Sequence, residues 1–411
     1  MTALWHPFAD MASVEALGEL VLTRGIGCTV WDDSGRSYLD ATAGLWFANV
    51  GHGRRSIAQA VAEQAERLAA HSTFGDVANP PALALAERVA GLAPVPDSKV
   101  FFTSGGSDSV DTAVKMVRQH AELVGHPERR VVVVRDRAYH GMHLAGTALS
   151  GIDANQTGYG ALDPDVVRVP WDDAGALAET LDRLEGRAVA FFCEPVIGAG
   201  GVFAAGEEYL RAVQEACRVR EVLFVADEVI CGFGRLGDWF ASGRYGLQPD
   251  LLLVAKGITS GYVPLGAAIA APSVWEPFWS RAGVWRHGYT YSGHAVAAAA
   301  AMANLDLMAL ERLPERALAM ESVLAQVLEP LRDHPAVSDV RAGTGLLAAV
   351  QLADAAHVPA AVAALRERQV LTRGIVTGSL QISPALVVEE RQLTVLATAI
   401  TESLDSLSSA G

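Results

Sequence analysis

The stretch LLLVAKGITSGYVPLG, Leu251–Gly266, places a lysine directly after five apolar residues. A buried strand is a costly place for a bare ammonium, because desolvation without a partner shifts its pKa by up to about 3–5 units. Composition sharpens the point. The chain has three lysines, Lys99, Lys115 and Lys256, and the other 29 of its 32 basic residues are arginine. Arginine serves wherever a plain positive charge is needed. Lysine at an apolar strand end offers something arginine does not, an amine that can lose its proton and attack a carbonyl.

Working outward, further short apolar runs repeat the pattern: KVFFT (99–103), RVVVVRD (130–136), VAFFCEP (189–195), VLFVADE (222–228) and GAAIAA (266–271). Helical-looking segments separate them at 57–71, 82–92, 109–124, 174–186 and 207–220. Runs without polar alternation predict strands covered on both faces, as in a mostly parallel sheet flanked by helices, an α/β architecture. Asp136, Glu194, Asp227 and Lys256 each end such a run. In open parallel sheets ligands bind beyond the carboxyl ends of the strands, so these ends converge on one edge. Asp136 reads as a strand end reaching water. Asp227 and Lys256 lead into glycine-rich turns and read as functional.

The 411-residue chain is long enough for two or three domains. Its texture divides it into an N-terminal segment 1–50, a large domain 51–310 and a smaller α+β domain 311–411 with an antiparallel sheet. The stretch TVWDDSGRSYLD (29–40) predicts a hairpin with an Asp-Ser-Gly turn that packs with the smaller domain. At 51% hydrophobic, 19% charged residues and a net charge of −15, the composition is that of a globular protein. The negative charge argues against a nucleic-acid or anionic-membrane surface. The N-terminus lacks the pattern of a signal peptide. AVAAAAAMA (295–303), between His294 and Asn304, is too short to span a bilayer and reads as a buried small-residue helix. Four scattered cysteines without a CxxC pair fit a reducing, cytoplasmic setting. The closest histidine pair, HGMH (140–143), has no evident third ligand, so no metal site is expected.

Two glycine-rich loops need separating. FFTSGGSDSVDTAVKM (101–116) reads as strand, tight loop and helix, the helix starting near Ser107 with Asp108 and Asp111 in its first turn. Such a loop suits a phosphate, and it equally suits a plain capped helix with acidic first-turn residues. GFGRLG (232–237) matches the dinucleotide fingerprint literally, but DWFASGRYG follows, with no helical period for a dinucleotide fold to use.

Seven stretches together resemble one family: ATAGLWFANVGHG (41–53), FFTSGGSDSVDTAVK (101–115), AYHG (138–141), EPVIGAGGV (194–202), ADEVICGFGRLG (226–237), PDLLLVAKGITSGYVPLGA (249–267) and HGYTYSGH (287–294). They are similar, in order and along nearly the whole chain, to the class III aminotransferases of fold type I, and most closely to the ω-transaminase (amine–pyruvate) branch. The resemblance implies a seven-stranded, mostly parallel sheet and the cofactor pyridoxal 5′-phosphate (PLP). It implies Lys256 as the Schiff-base lysine, Asp227 as partner of the pyridine nitrogen, Val229 beneath the ring and Tyr139 on its other face. Gly105, Gly106 and Ser107 are implied as the phosphate loop, and Thr290 as a phosphate contact from a neighbouring subunit, hence a homodimer with shared active sites. The implied reaction is ping-pong transfer of an amino group from an amine donor to a keto acid such as pyruvate. Aminomutases, racemases and a decarboxylase share the scaffold and remain the alternative.

Departures refine the branch. Ile230 stands where ornithine and γ-aminobutyrate branches carry glutamine. Ala199 stands where they carry a glutamate that pairs with an active-site arginine. Without that glutamate the resemblance implies a free arginine for the acceptor's carboxylate, by position Arg373. Phe8, Trp46 and Phe74 are expected as aromatic substrate walls. Asp108 replaces the family's usual glutamate, and the chain is somewhat short for this branch.

Overall fold

The computed structural model describes residues 3–281 and 283–408. Near the N-terminus β1 (Leu22–Ile26), β2 (Thr29–Asp32) and β3 (Ser37–Asp40) run antiparallel. The β2–β3 turn is the expected Asp-Ser-Gly turn. Asp32 Oδ1 accepts from the backbone N–H of Ser34 at 3.0 Å and of Arg36 at 2.9 Å.

The apolar runs become strands because both of their faces are covered. They are β4 (Lys99–Thr103), β5 (Val131–Arg135), β6 (Val166–Val169), β7 (Ala188–Cys193), then β10 (Leu223–Asp227), β11 (Leu251–Val254) and β12 (Gly266–Ala270), with β8 (Val196–Ile197) and β9 (Phe203–Ala204) forming a separate two-stranded ladder. The seven-stranded sheet has the order β4-β12-β11-β10-β7-β5-β6. β12 is antiparallel to both neighbours and the other pairings are parallel. Along β10 and β11, Phe224, Ala226, Leu252 and Val254 join one apolar cluster, while Val225, Leu251 and Leu253 join another on the opposite face. That two-sided burial explains the absence of polar alternation. The sequence reading passed over β6, whose VVRV is short, carries Arg168 and lies at the sheet's edge.

Helices Gly106–Val124, Ala174–Arg183 and Glu207–Arg218 occupy three of the expected helical segments. The first begins at Gly106, one residue early, so its first turn holds Asp108 and not Asp111. Helix Ala295–Leu310 is the expected small-residue helix, with Ala297, Ala298, Ala300 and Ala301 buried. Among the described residues no helix is long and apolar enough to cross a membrane.

Toward the C-terminus lie β13 (Val337–Arg341), β14 (Ala348–Leu352), β15 (Val370–Leu371), β16 (Gly374–Ile375) and β17 (Ser379–Ile382). Four of them form an antiparallel sheet, β13-β14-β17-β16. β15 pairs instead, in parallel, with β3, so the two ends of the chain share a sheet. The architecture is α/β with a smaller α+β part.

GFGRLG does not open a long helix. It is a run of turns, and the helix after it spans only Ala241–Arg244. It carries Arg235, which is fully buried and, among the described residues, forms no ion pair with a carboxylate. Its guanidinium donates to Leu346 O at 3.2 Å, to Pro384 O and to Asn49 Oδ1 at 2.8 Å. Burial pushes its pKa down to about 10. One side chain thus joins the central part of the chain to segments near residue 49 and beyond 340. Replacing it strands three acceptors and leaves a cavity. A stranded buried acceptor costs about 1–3 kcal/mol, partly offset because no charge is then desolvated, so Arg235→Met is expected to cost about 3 kcal/mol, read as a lower urea midpoint.

Candidate active site

Because β4, β5, β7, β10 and β11 run the same way, their carboxyl ends meet at one edge. A cavity of about 370 Å³ opens there, within the range of small-ligand sites. Its floor is made by strand ends: Ser104–Ser107 after β4, Tyr139–Gly141 after β5, Glu194 after β7, Asp227 and Val229 at and after β10, Ala255 and Lys256 after β11. Leu45, Phe47, Val263 and Leu265 add an apolar wall.

Lys256 begins a short 3₁₀ turn, Lys256–Ile258, with φ +46°, a left-handed conformation that lysine seldom adopts. Among the described residues its ammonium has no hydrogen bond and no ion pair. The Trp46 ring lies 6.0 Å from Nζ. Burial lowers its pKa; Asp227, Glu194 and Cys231 oppose the shift, and Arg373 adds to it. The amine is therefore neutral at lower pH than an ordinary lysine.

Asp227 is buried and tightly held. Oδ1 accepts from Val229 N at 3.1 Å, and Oδ2 faces His140 Nδ1 at 2.8 Å. That contact puts the proton of a neutral His140 on Nδ1, and Nε2 is buried without a partner. Glu194 accepts from Tyr139 N at 2.9 Å through Oε1 and from Gly198 N at 3.0 Å through Oε2. Burial and the neighbouring Asp227 push its carboxyl up. Arg135, fully buried beneath, donates to the backbone carbonyls of Trp171 and Glu194. Asp136, beside it, is exposed, as expected of a strand end reaching water.

At the same cavity, helix Gly106–Val124 starts with no side-chain cap. Its first N–H groups, including those of Gly106 and Ser107, have no intrahelical acceptor, and both residues line the cavity. There is no room for larger residues here. A Cβ on Gly106 would sit 2.8 Å from Val229 Cγ1, and one on Gly141 (φ +90°) 2.5 Å from Ser107 Oγ. The two histidines of HGMH diverge: His140 turns in to Asp227, and His143 turns out to Asp108 at 2.7 Å.

The resulting set is an unpaired, pKa-lowered amine, a buried carboxylate braced by a histidine, a tyrosine wall and an uncapped helix N-terminus. It suits a ligand carrying a carbonyl, a basic ring nitrogen and a phosphate. The family described as Aminotransferase class-III matches residues 11–404. A putrescine–pyruvate aminotransferase of Pseudomonas aeruginosa is 35% identical across 98% of this chain and 94% of its own length.

The chain belongs to the class III aminotransferases.

Solved structures agree. A thermostable (S)-enantioselective ω-transaminase from Thermomicrobium roseum superimposes with a TM-score of 0.94 at 37% identity, covering 98% of this chain and 96% of that one. The ω-transaminase from Pseudomonas jessenii in complex with PMP gives 0.95 at 32% identity, covering 99% and 96%. The protein is accordingly an aminotransferase, moving an amino group from a donor to an acceptor.

Within one chain of this aminotransferase, Lys256, Asp227, Val229, Tyr139, Gly105, Gly106 and Ser107 share the cavity. Trp46 is buried at its flank in a left-handed conformation (φ +61°). The Arg373 guanidinium lies 5.2 Å from the Trp46 ring centroid, with no carboxylate partner among the described residues, and neither Arg373 nor Trp46 lines the cavity itself. Phe8 (77% exposed), Phe74 (57% exposed) and the exposed Thr290 do not line the cavity. Phe8 belongs to an N-terminal arm whose helix Met11–Leu17 buries nothing. The sequence reading missed His140 as Asp227's partner, and Leu45 and Phe47 as wall residues. All three sit inside stretches it had singled out, next to Tyr139 and Trp46.

With only three lysines, the amine is easy to isolate experimentally. Reductive methylation of the cofactor-free protein with formaldehyde across pH is expected to reach half-maximal rate at Lys256 below the ordinary lysine range near pH 10.4, with the Lys99 and Lys115 peptides as references for reagent activity. A Lys256 midpoint at or above that range contradicts the lowered pKa.

Proposed function

We propose that this aminotransferase uses PLP to transfer the amino group of an apolar or aryl amine to a keto acid such as pyruvate. The observation that carries the reading is the unpaired Lys256 amine and the buried Asp227 carboxylate lining one cavity with the helix start at Gly106. The cavity residues fit this cofactor. Gly105, Gly106 and Ser107 would hold its phosphate, Val229 and Tyr139 its two ring faces, and Asp227 its protonated ring nitrogen. When bound, PLP supplies an aldehyde carbon for amine exchange and a ring that takes up the electrons released on deprotonation of the donor carbon.

The chain's own residues then divide the work. Lys256 would hold the cofactor at its aldehyde carbon, and its amine would take the proton from the donor's amine-bearing carbon at Nζ. Burial shifts Nζ toward the neutral form that such a step needs. Asp227 would hold a proton on the ring nitrogen, and His140 fixes the carboxylate's direction. Arg373, free of any acid partner, suits the carboxylate of the keto acid. The apolar wall of Leu45, Phe47 and Leu265 beside Trp46 suits an apolar donor.

Thr290, Phe8 and Phe74 lie exposed on the single chain. In this reading they complete the site of a second copy: Thr290 at the phosphate, the two phenylalanines as substrate walls. The functional unit is then a homodimer.

The deciding experiment is an absorbance scan. The PLP-loaded protein is expected to be yellow, to bleach with 1-phenylethylamine alone, and to recover with pyruvate as alanine forms. Lys256→Ala is expected to lower that turnover by at least about 10³-fold, the scale of removing a group that acts as nucleophile and base. Bleaching with no need of a keto acid for turnover would point to an isomerase or decarboxylase. A yellow protein indifferent to the amine would remove the donor class.

Gly106→Ala is expected to raise the PLP concentration needed for half-occupancy about tenfold or more, since an added Cβ meets Val229 and displaces the phosphate loop. Gly106→Ala combined with Val229→Ala relieves that contact and should recover part of the loss. Unchanged occupancy in the single variant contradicts the cradle.

A further inference from the structure

The left-handed turn at Lys256 is held by something, and the contacts name it. Lys256 (φ +46°) and Ser260 (φ +49°) both occupy the region that non-glycine residues avoid, and such a conformation persists only where the surroundings enforce it. The Lys256 side chain has no hydrogen bond or ion pair of its own among the described residues, so the direction of Nζ rests on its backbone. That backbone is gripped from below by Asn304. This is a fully buried polar residue on the otherwise apolar face of helix Ala295–Leu310. Its Nδ2 donates to Gly257 O at 2.9 Å and to Ile258 O at 3.0 Å, the two carbonyls that follow Lys256. Its Oδ1 is buried without a partner. An amide kept in an apolar helix with one end unsatisfied is costly. The two carbonyls fix its orientation, because the flipped amide would turn its oxygen on them. The buried alanines of the same helix let it approach closely enough.

We propose that Asn304 is a positioning residue for Lys256: its amide, bonded to Gly257 O and Ile258 O, holds the turn that aims the lysine amine into the cavity. This rests on Lys256 being the reacting amine. Asn304 touches neither cofactor nor substrate and acts through the turn alone.

The test compares Asn304→Leu and Asn304→Ser with wild type in two measurements. The first is formaldehyde labelling of Lys256 in the cofactor-free protein across pH, against the Lys99 and Lys115 peptides. The second is the single-turnover half-reaction of the PLP-loaded protein with 1-phenylethylamine. In Asn304→Leu the Lys256 labelling midpoint is expected to rise by about one pH unit as the freed amine moves toward water. The half-reaction rate is expected to fall about tenfold, with half-saturation by the amine unchanged within about threefold. Asn304→Ser keeps one donor and should lie closer to wild type in both. A folded Asn304→Leu protein whose Lys256 labels and reacts within twofold of wild type overturns the proposal. If the leucine variant does not fold, Asn304→Ala replaces it. Serine and alanine leave similar space and differ by the hydroxyl donor, so equal Lys256 behaviour in those two also overturns it. The underlying reading fails separately, and visibly, if Lys256→Ala keeps the amine-dependent bleaching.

Discussion

Arg235 carries a positive charge into the interior and, among the described residues, forms no ion pair there. What it finds is backbone carbonyl oxygen from Leu346 and Pro384 and the amide oxygen of Asn49. A guanidinium tolerates that setting because its donors radiate in a plane and each can be used separately. The consequence is positional. Asn49, fixed by Arg235, donates to Phe233 O at 2.7 Å, and its Nδ2 stands where a Cβ on Gly257 would have to be. Gly257 follows Lys256. One buried charge therefore sets the frame between the chain's distant parts, and its second neighbour presses on the turn that carries the amine.

From that frame the site's electrostatics follow in order. The sheet brings two carboxylates and an amine to one edge, and each would be unfavourable if left alone in a buried place. Asp227 is met by a histidine and a backbone N–H. Glu194 is met by two backbone N–H groups. Lys256 is met by no hydrogen bond or ion pair, and the cost appears as a lowered affinity for its proton. The only unpaired member of the trio is the one whose chemistry needs a free electron pair. Structural lysines are paired or at the surface; this one is neither.

Much of this was legible in the sequence because it lies in local patterns. Unbroken apolar runs gave six strands of the sheet, and a lysine after LLLVA, in a chain that otherwise spends arginine, marked the amine. The loop TSGGSDS was readable as a helix start, and only its first residue was misplaced. What stayed hidden depends on partners far along the chain. Arg235 looked like part of a failed dinucleotide motif, since its acceptors lie 111 and 149 residues further on. His140 looked like half of a weak metal pair, since Asp227 is 87 residues away. Asn304 looked like the end of an alanine run. β6 was lost because an edge strand, half covered, need not be apolar. Phe8 and Phe74 illustrate a different limit: their aromatic character was plain, but a single chain leaves both at its surface.

The pairing of β15 with β3 bears on how the chain is made. Gln369 Nε2 donates to Ser37 O at 2.9 Å across 332 residues of sequence, and the parallel ladder beside it joins Val370 to Leu39. During synthesis β1–β3 emerge first, yet the outer edge of β3 has no strand to meet until nearly the whole polypeptide has left the ribosome. Throughout translation that edge is an open template for another nascent chain. Contacts of such long range also carry a high loop-closure cost, which places them late in folding. The sheet β1-β2-β3-β15 is thus completed only once a two-residue strand from near the C-terminus has been made.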